Sequence, residues 1–162
     1  EALKLLGAAR SKVSSLVKTE EAKARQEEQA RQREEAEAPR RALRERYEDA
    51  KSRLISAGGK KFVTPAERGF RNVSDALRKR IRLDAKFRDE CPEQECQSRS
   101  KLQTYAVTFD QLAGAQRSAM QVLEQVGIGS VYAGCGEAFN DFYVVGLECF
   151  EPDEDGGPSA CK

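Results

Sequence analysis

The stretch DECPEQECQSRS (Asp89–Ser100) lies between two amphipathic runs, and its reading decides the fold. Pro92 disfavours a helical conformation at Cys91, so a helix arriving from the N-terminal side is predicted to end there. Upstream, Phe70, Val73, Leu77 and Ile81 fall on one helical face, with Phe87 extending it. Downstream, Leu102, Tyr105, Phe109, Leu112, Gln116, Ala119, Leu123 and Val126 recur every three or four residues, and Gly127 is the natural stop. Two helices joined by so short a turn are expected to be antiparallel neighbours. The spacing predicts Pro65–Glu90 and Ser98–Val126 as the arms of this hairpin.

The start of the first arm carries its own signal. In TPAE (Thr64–Glu67), Thr64 is placed as N-cap, Pro65 at the first helical position and Glu67 three residues after the cap, the arrangement of a capping box. Before it, AGGKK (Ala57–Lys61) predicts the end of another helix, with Gly58 or Gly59 suited to a left-handed cap. That earlier helix shows an apolar stripe at Leu43, Tyr47, Ala50 and Leu54. Pro39 is expected to kink or restart it.

The first segment opens with Ala2, Leu5, Leu6, Ala9, Val13, Leu16 and Val17 near helical spacing. From Lys18 to Ala38 the chain is almost entirely Glu, Gln, Arg, Lys and Ala, which favour helix. Glu21→Arg25 and Glu27→Arg31 have the favourable order for ion pairs one turn apart. A sustained seam of large apolar residues is missing, so this part reads as a solvated helical arm. The last stretch changes character. Val131–Cys135 and Asp141–Phe150 are rich in β-branched and aromatic residues and predict a short β-hairpin around Gly136–Asn140. EPDEDGGPSACK (Glu151–Lys162) reads as a mobile acidic tail, or one that folds back on the basic middle.

The fold predicted is therefore mainly α. It is an elongated antiparallel helical bundle or coiled-coil-like hairpin with a small disulfide-clamped β element near the C-terminus. Three regions follow: 1–61, a charged helical arm kinked near Pro39; 62–129, the helical hairpin; and 130–162, a β/loop cap with an acidic tail.

The chain has 162 residues, is 34% charged and has a net charge of +1, but the charge is unevenly spread. Residues 39–90 hold sixteen Lys/Arg against eight Asp/Glu, whereas 131–162 hold one base against seven acids. The middle is thus suited to an anion and the tail to a cation or to the middle itself. No run approaches the length of apolar residues needed to span a bilayer. Glu1 is not a methionine, so a processed product is one reading, and an upstream anchor would then turn the charged arm into a stalk.

Five cysteines stand at 91, 96, 135, 149 and 161. Structural zinc calls for four Cys/His ligands in paired short spacings, and here histidine is absent and only one short pair exists. A redox dithiol calls for C-x-x-C after a strand, and Cys91 and Cys96 follow a helix with a wider gap. Cys91, Cys96 and Cys161 sit among Asp, Glu, Pro and Gly, which suits bridges across polar turns. The expected bridges are Cys91–Cys96, across the inter-helix turn, and Cys135–Cys149, clamping the β-hairpin. Cys149–Cys161 is the main competitor to the second, and Cys161 is otherwise left over. Bridges imply an oxidising compartment.

Without histidine there is no Ser-His-Asp or Cys-His arrangement and no imidazole acid or base. GIGSVYAG (Gly127–Gly134) follows a helix instead of a strand and lacks the Gly-Lys-Ser/Thr ending of a phosphate loop. Glu137, Asp141 and Glu148 lie close enough in sequence to converge near the hairpin, yet no spacing among them specifies a reaction. No catalytic residue, metal or cofactor is predicted.

What remains is binding. The leading expectation is a non-enzymatic, extracytoplasmic binding or scaffolding module (periplasmic, secreted or cell-surface) that meets a protein partner, or a second copy of itself. Its contacts are expected to come from exposed aromatics of the cap, Tyr132, Phe139, Phe142 and Tyr143. The competing reading is that these rings close the end of the bundle. The alternative function is a cytosolic coiled-coil adaptor that binds nucleic acid or another polyanion through Arg40, Arg41, Arg44, Arg78, Lys79, Arg80 and Arg82. Leu77, Ile81 and Leu83 interleave with the second basic run, and Asp75 and Asp84 dilute it, which favours a solvated bundle face.

Overall fold

The computed structural model describes residues 2–92, 95–96 and 98–161, with side chains from Val17 onward. Among the described residues there are four α-helices: α1 (Ala2–Leu54), α2 (Lys60–Glu90), α3 (Arg99–Tyr132) and α4 (Gly136–Phe150). There is no strand among the described residues. The chain divides into two compact units, Glu1–Arg40 and Arg41–Lys162, and α1 contributes to both.

In the first unit the side chains from Val17 to Pro39 are exposed. Arg31 pairs with Glu28 at 2.9 Å and with Glu35 at 3.7 Å, in place of the expected Glu27. Such pairs on an open face contribute little, and the Ala/Glu/Gln/Arg composition itself carries the helix. The apolar spacing at Ala2, Leu5, Leu6, Ala9, Val13 and Leu16 lies outside the described side chains. Pro39 stands inside α1 and does not end it. One missing donor is absorbed by the good helix formers on either side.

The second unit holds the core. The stripe read from Leu43 onward is buried at Tyr47, Ala50 and Leu54. After α1 the segment Ile55–Gly59 turns the chain into α2, and within it Gly58 takes φ 85°, a conformation that favours glycine. α2 begins at Lys60, so Thr64 is not an N-cap and Pro65 sits within the helix. The capping box fails because Phe62 and Val63 have somewhere to go. Val63 is buried in the core, and the Phe62 ring stands edge-on to Phe139, with centroids 6.5 Å apart. Lys60–Val63 therefore extend the helix by a turn.

α2 and α3 run antiparallel, as the hairpin reading expects. Phe62 of α2 approaches Gly129 of α3 at one end, Gly69 lies against Leu123, and Phe87 meets Tyr105 edge-to-face at the other end with centroids 5.2 Å apart. Between them the Cys91–Cys96 bridge closes the turn with Cα atoms 4.3 Å apart. Ser98 caps α3 by accepting from the Lys101 amide at 3.2 Å. α3 does not stop at Gly127 but continues to Tyr132. Gly127 and Gly129 instead mark close approaches, since a Cβ at either would come within 3.2 Å of Phe139 or 3.3 Å of Phe62.

The predicted β-hairpin is replaced by α4. After a turn at Gly134 (φ 77°), residues 136–150 bury Phe139, Phe142, Gly146, Cys149 and Phe150, which share one face of a helix. The aromatic and β-branched content of this stretch suggested strands, but the burial follows the 3.6-residue period. α4 lies on α2 so closely that a Cβ on Gly146 would collide with the Phe70 ring. Tyr47, Phe70, Phe142 and Phe150 form one aromatic cluster with neighbouring ring centroids 5.3–5.8 Å apart.

The acidic tail is seated, not loose. Pro152, Gly156, Ser159 and Ala160 are buried, and Cys161 is bonded to Cys149 with Cα atoms 5.2 Å apart. The expected Cys135–Cys149 bridge is thereby overturned. Cys135 precedes α4 and Cys149 lies in its last turn, so the helix itself holds them apart. Cys135 is a buried free thiol that donates to the Ser130 carbonyl at 3.4 Å.

Candidate functional site: the uncharged end of α3

Of the four aromatics expected at a partner surface, only Tyr132 is fully open, at 89% exposure. Phe139 and Phe142 are buried, and Tyr143 is half-buried against Phe70 and Phe139. The rings on α4 close the end of the bundle because they fall on its inner face. Burial and the neighbouring Glu124 push the Tyr143 hydroxyl pKa up, so it stays a neutral donor.

The surface that stands out is next to these rings. Ser118–Gly136 contains one charged residue, Glu124, in a chain that is 34% charged. On α3, Leu123 and Ser130 face the core, and Ile128 and Tyr132 point the other way one turn apart. Val131, at 67% exposure, and Val122 flank that ridge. The ridge stands between two grooves. One of about 320 Å³ runs between α3 and α4, floored by Gly127, Gly136 and Phe139. The other, a broad depression of about 780 Å³ on the α2 side, is lined by Phe62, Pro65, Val122 and Val126. The sequence reading passed over Val122 and Ile128 because they lie off the apolar stripe. The signal that would have found them is the missing charge on the outward face.

The charged residues are occupied elsewhere. Asp141 meets Arg53 at 3.4 Å, and Glu148 meets Arg46 at 3.4 Å, tying α4 to α1. With Glu137 exposed on α4, these three carboxylates do not form the convergent set considered from sequence. Among the described residues no group of His, Cys, Asp and Glu is placed to hold a metal ion, and no helix is long and apolar enough to cross a membrane.

The candidate anion-binding residues are partly enclosed. Arg44 donates to the Ala160 carbonyl and Arg82 to the Gly156 carbonyl, each at 3.2 Å. Arg78 is enclosed beneath the tail, with Asp75 at 3.8 Å. Lys79 and Arg80 are exposed on α2, and Arg41 is exposed on α1. Arg40 belongs to the first unit.

One polar hub has a structural role that no sequence signal marked. Glu67, freed from capping, accepts from Tyr47 at 2.8 Å and from Lys51 at 2.7 Å. Burial alone would push its carboxyl upward. The hydrogen bonds from Lys51 and Tyr47, with the charges of Lys51 and Arg71, outweigh that and hold it below the ordinary glutamate range. Burial and the bond to Glu67 drive the Tyr47 hydroxyl in the opposite direction, well above its usual value. At the far end of the hairpin, hydrogen bonds from Lys101 and Tyr105 lower Glu90 similarly. Since the folded pKa of Glu67 lies below the unfolded value of about 4.3, the unfolded chain takes up the proton first as pH falls. The stabilisation is complete above the unfolded value and is lost as pH drops through the folded one. Glu67→Gln is therefore expected to cost about 1–2 kcal/mol at neutral pH. It should also flatten the fall in stability as pH drops below the ordinary glutamate value of about 4.3. Denaturant melts across that range check it; parallel curves for the two proteins would remove Glu67 from the acid response.

No protein family, curated protein or solved structure matches this chain.

Proposed function

We propose that this chain is a non-enzymatic binding module of an oxidising, extracytoplasmic compartment, and that it engages a protein partner through the outward face of α3 at Ile128, Val131 and Tyr132. The observation that carries the reading is that open ridge. Val131 and Tyr132 are 67% and 89% exposed, on a stretch, Ser118–Gly136, that carries a single charge, Glu124. Apolar and aromatic side chains with depleted charge are the composition of an interface centre, and the flanking grooves give a partner's side chains somewhere to insert. The compartment is supported by the two bridges, Cys91–Cys96 and Cys149–Cys161, which persist where thiols are not kept reduced.

The test uses a photo-reactive residue at Val131, crosslinked in the native host, in otherwise wild-type protein and in the double variant Ile128→Asp, Tyr132→Ser. Both side chains are exposed, so the variant should melt with the wild type. Loss of the two anchors is expected to weaken the complex by about 2 kcal/mol or more, roughly 30-fold in affinity. Equal crosslinking of the folded double variant would remove this face from the function. Sedimentation of the pure protein separates the homo-oligomer from a foreign partner, because a self-associated species would dissociate in the same variant. Intact mass before and after reduction tests the compartment argument, with four cysteines protected and Cys135 free as the expected result.

A further inference from the structure

The C-terminal segment covers part of the basic face of the second unit. Gly156, at φ 72°, lies so close to α2 that a Cβ there would come within 3.2 Å of the Arg78 carbonyl and 3.4 Å of the Arg82 stem. Backbone carbonyls of the segment receive Arg82 and Arg44. The carboxylate of Asp153 turns inward on its own segment and accepts from the Gly157 amide. Beneath the segment the Arg78 side chain is only 12% exposed, and its Nε and Nη2 are buried without any hydrogen-bond partner. The hydroxyls of Ser74, one turn earlier on the same face, and of Ser159 in the segment are likewise buried and unpartnered.

Nε–H and Nη2–H form one edge of the guanidinium fork, whose spacing matches the two oxygens of a carboxylate. A buried cation with that edge empty is costly, and the segment above it does not fill it. We propose that the face of α2 centred on Arg78 is a seat for a carboxylate of an extended acidic peptide segment on a protein partner. The chain's own residues 151–161 cover this seat and are latched there by Cys149–Cys161. Two observations select the occupant. The seat is already covered by an acidic, glycine- and proline-containing segment that is neither helix nor strand, and residues 39–90 carry sixteen bases against eight acids.

The latch can be opened at one sulfur. Cys149 is fully buried, whereas Cys161 is partly exposed. A thiolate of a dithiol reductant attacks Cys161 Sγ, and the Cys149 sulfur leaves as a thiolate and takes a proton. The second thiol of the reductant then displaces Cys161 as a thiol. Two electrons pass to the chain's disulfide, and the reductant departs as its own disulfide. The freed segment can swing off α2 and leave the fork open.

The probe is a fluorescein-labelled hexaglutamate peptide, followed by anisotropy at low salt with the full chain. Cys161→Ser is expected to bind it on the order of ten-fold more tightly than the oxidised wild type. Adding Arg78→Ala should remove that gain, and Arg78→Lys should restore only part of it, because an ammonium lacks the fork. Equal binding by wild type and Cys161→Ser, or binding indifferent to Arg78→Ala, would overturn the proposal. So would preference for a single-stranded oligonucleotide over the peptide. The wild type opened with dithiothreitol, with the reduced pair verified by mass mapping, provides a measurement independent of the variants. Amides of residues 153–160 should then exchange faster than in the oxidised protein, and unchanged protection would overturn the latch.

Discussion

Phe142→Ala is expected to destabilise the second unit by about 3–5 kcal/mol. The side chain is 0% exposed, with the Tyr47 ring 5.3 Å away on one side and the Phe70 ring 5.5 Å away on another. Truncation would leave a ring-sized hole among three helices. Collapse into it is resisted because α4 already lies against Phe70 at Gly146, and its flanks are tied to α1 through Arg46 and Arg53. A domain of this size is stable by about 5–15 kcal/mol, so the loss is a large share of the total. A drop in Tm of roughly 10 °C or more follows. Tyr132→Ala, at 89% exposure, should stay within about 0.5 kcal/mol of wild type. The pair separates the two roles considered for the aromatics of this region. If both variants melted alike, the placement of Phe142 in the core and Tyr132 on the surface would fail together.

The helical hairpin was legible because its signals are local and mutually consistent. The stripe from Phe70 to Ile81, the proline after Cys91 and the repeat from Leu102 to Val126 each act within a few residues. All of them pointed the same way. The start of α2 was not legible, because TPAE is a sound capping box by itself. What overrides it is distant in sequence: Phe139 gives Phe62 a partner, and Lys51 and Tyr47 compete for the Glu67 carboxylate. A cap contributes about 1 kcal/mol, and burial of Val63 with a buried charged hydrogen bond exceeds it.

The C-terminal fifth failed for a related reason. GEAFNDFYVVGLECF has the composition of a strand and the periodicity of a helix, and composition was given the greater weight. Three phenylalanines at 139, 142 and 150 can be buried together only if the segment is helical, since in a strand 139 would oppose 142 and 150. That choice fixed the cysteine pairing. A hairpin would have brought Cys135 to Cys149, whereas residues 136–148, all helical, separate them and leave Cys161 as the partner. Helix formation also divides the four aromatics: Phe139 and Phe142 turn inward on α4, and Tyr132 stands on the outward face of α3.

The two disulfides are expected to contribute unequally. Cys149–Cys161 spans a sequence separation of 12 and Cys91–Cys96 one of 5. By the chain-entropy relation, serine pairs at these positions should cost about 3 and about 2 kcal/mol respectively. Packing widens the gap. The first loop carries buried Pro152, Ser159 and Ala160 and binds Arg44 and Arg82, all of which lose their fixed geometry when the tie is cut. The second closes a turn whose flanking helices are also held by Phe87 on Tyr105 and by Lys101 on Glu90 at 2.7 Å, so native contacts survive its removal. Thermal melts of the two double-serine variants would therefore place Cys149→Ser, Cys161→Ser lower, with a Tm shift on the order of 10 °C. A larger loss from the Cys91 and Cys96 pair would mean that the C-terminal segment adds no packing to the second unit, and its seat on α2 would be without energetic support.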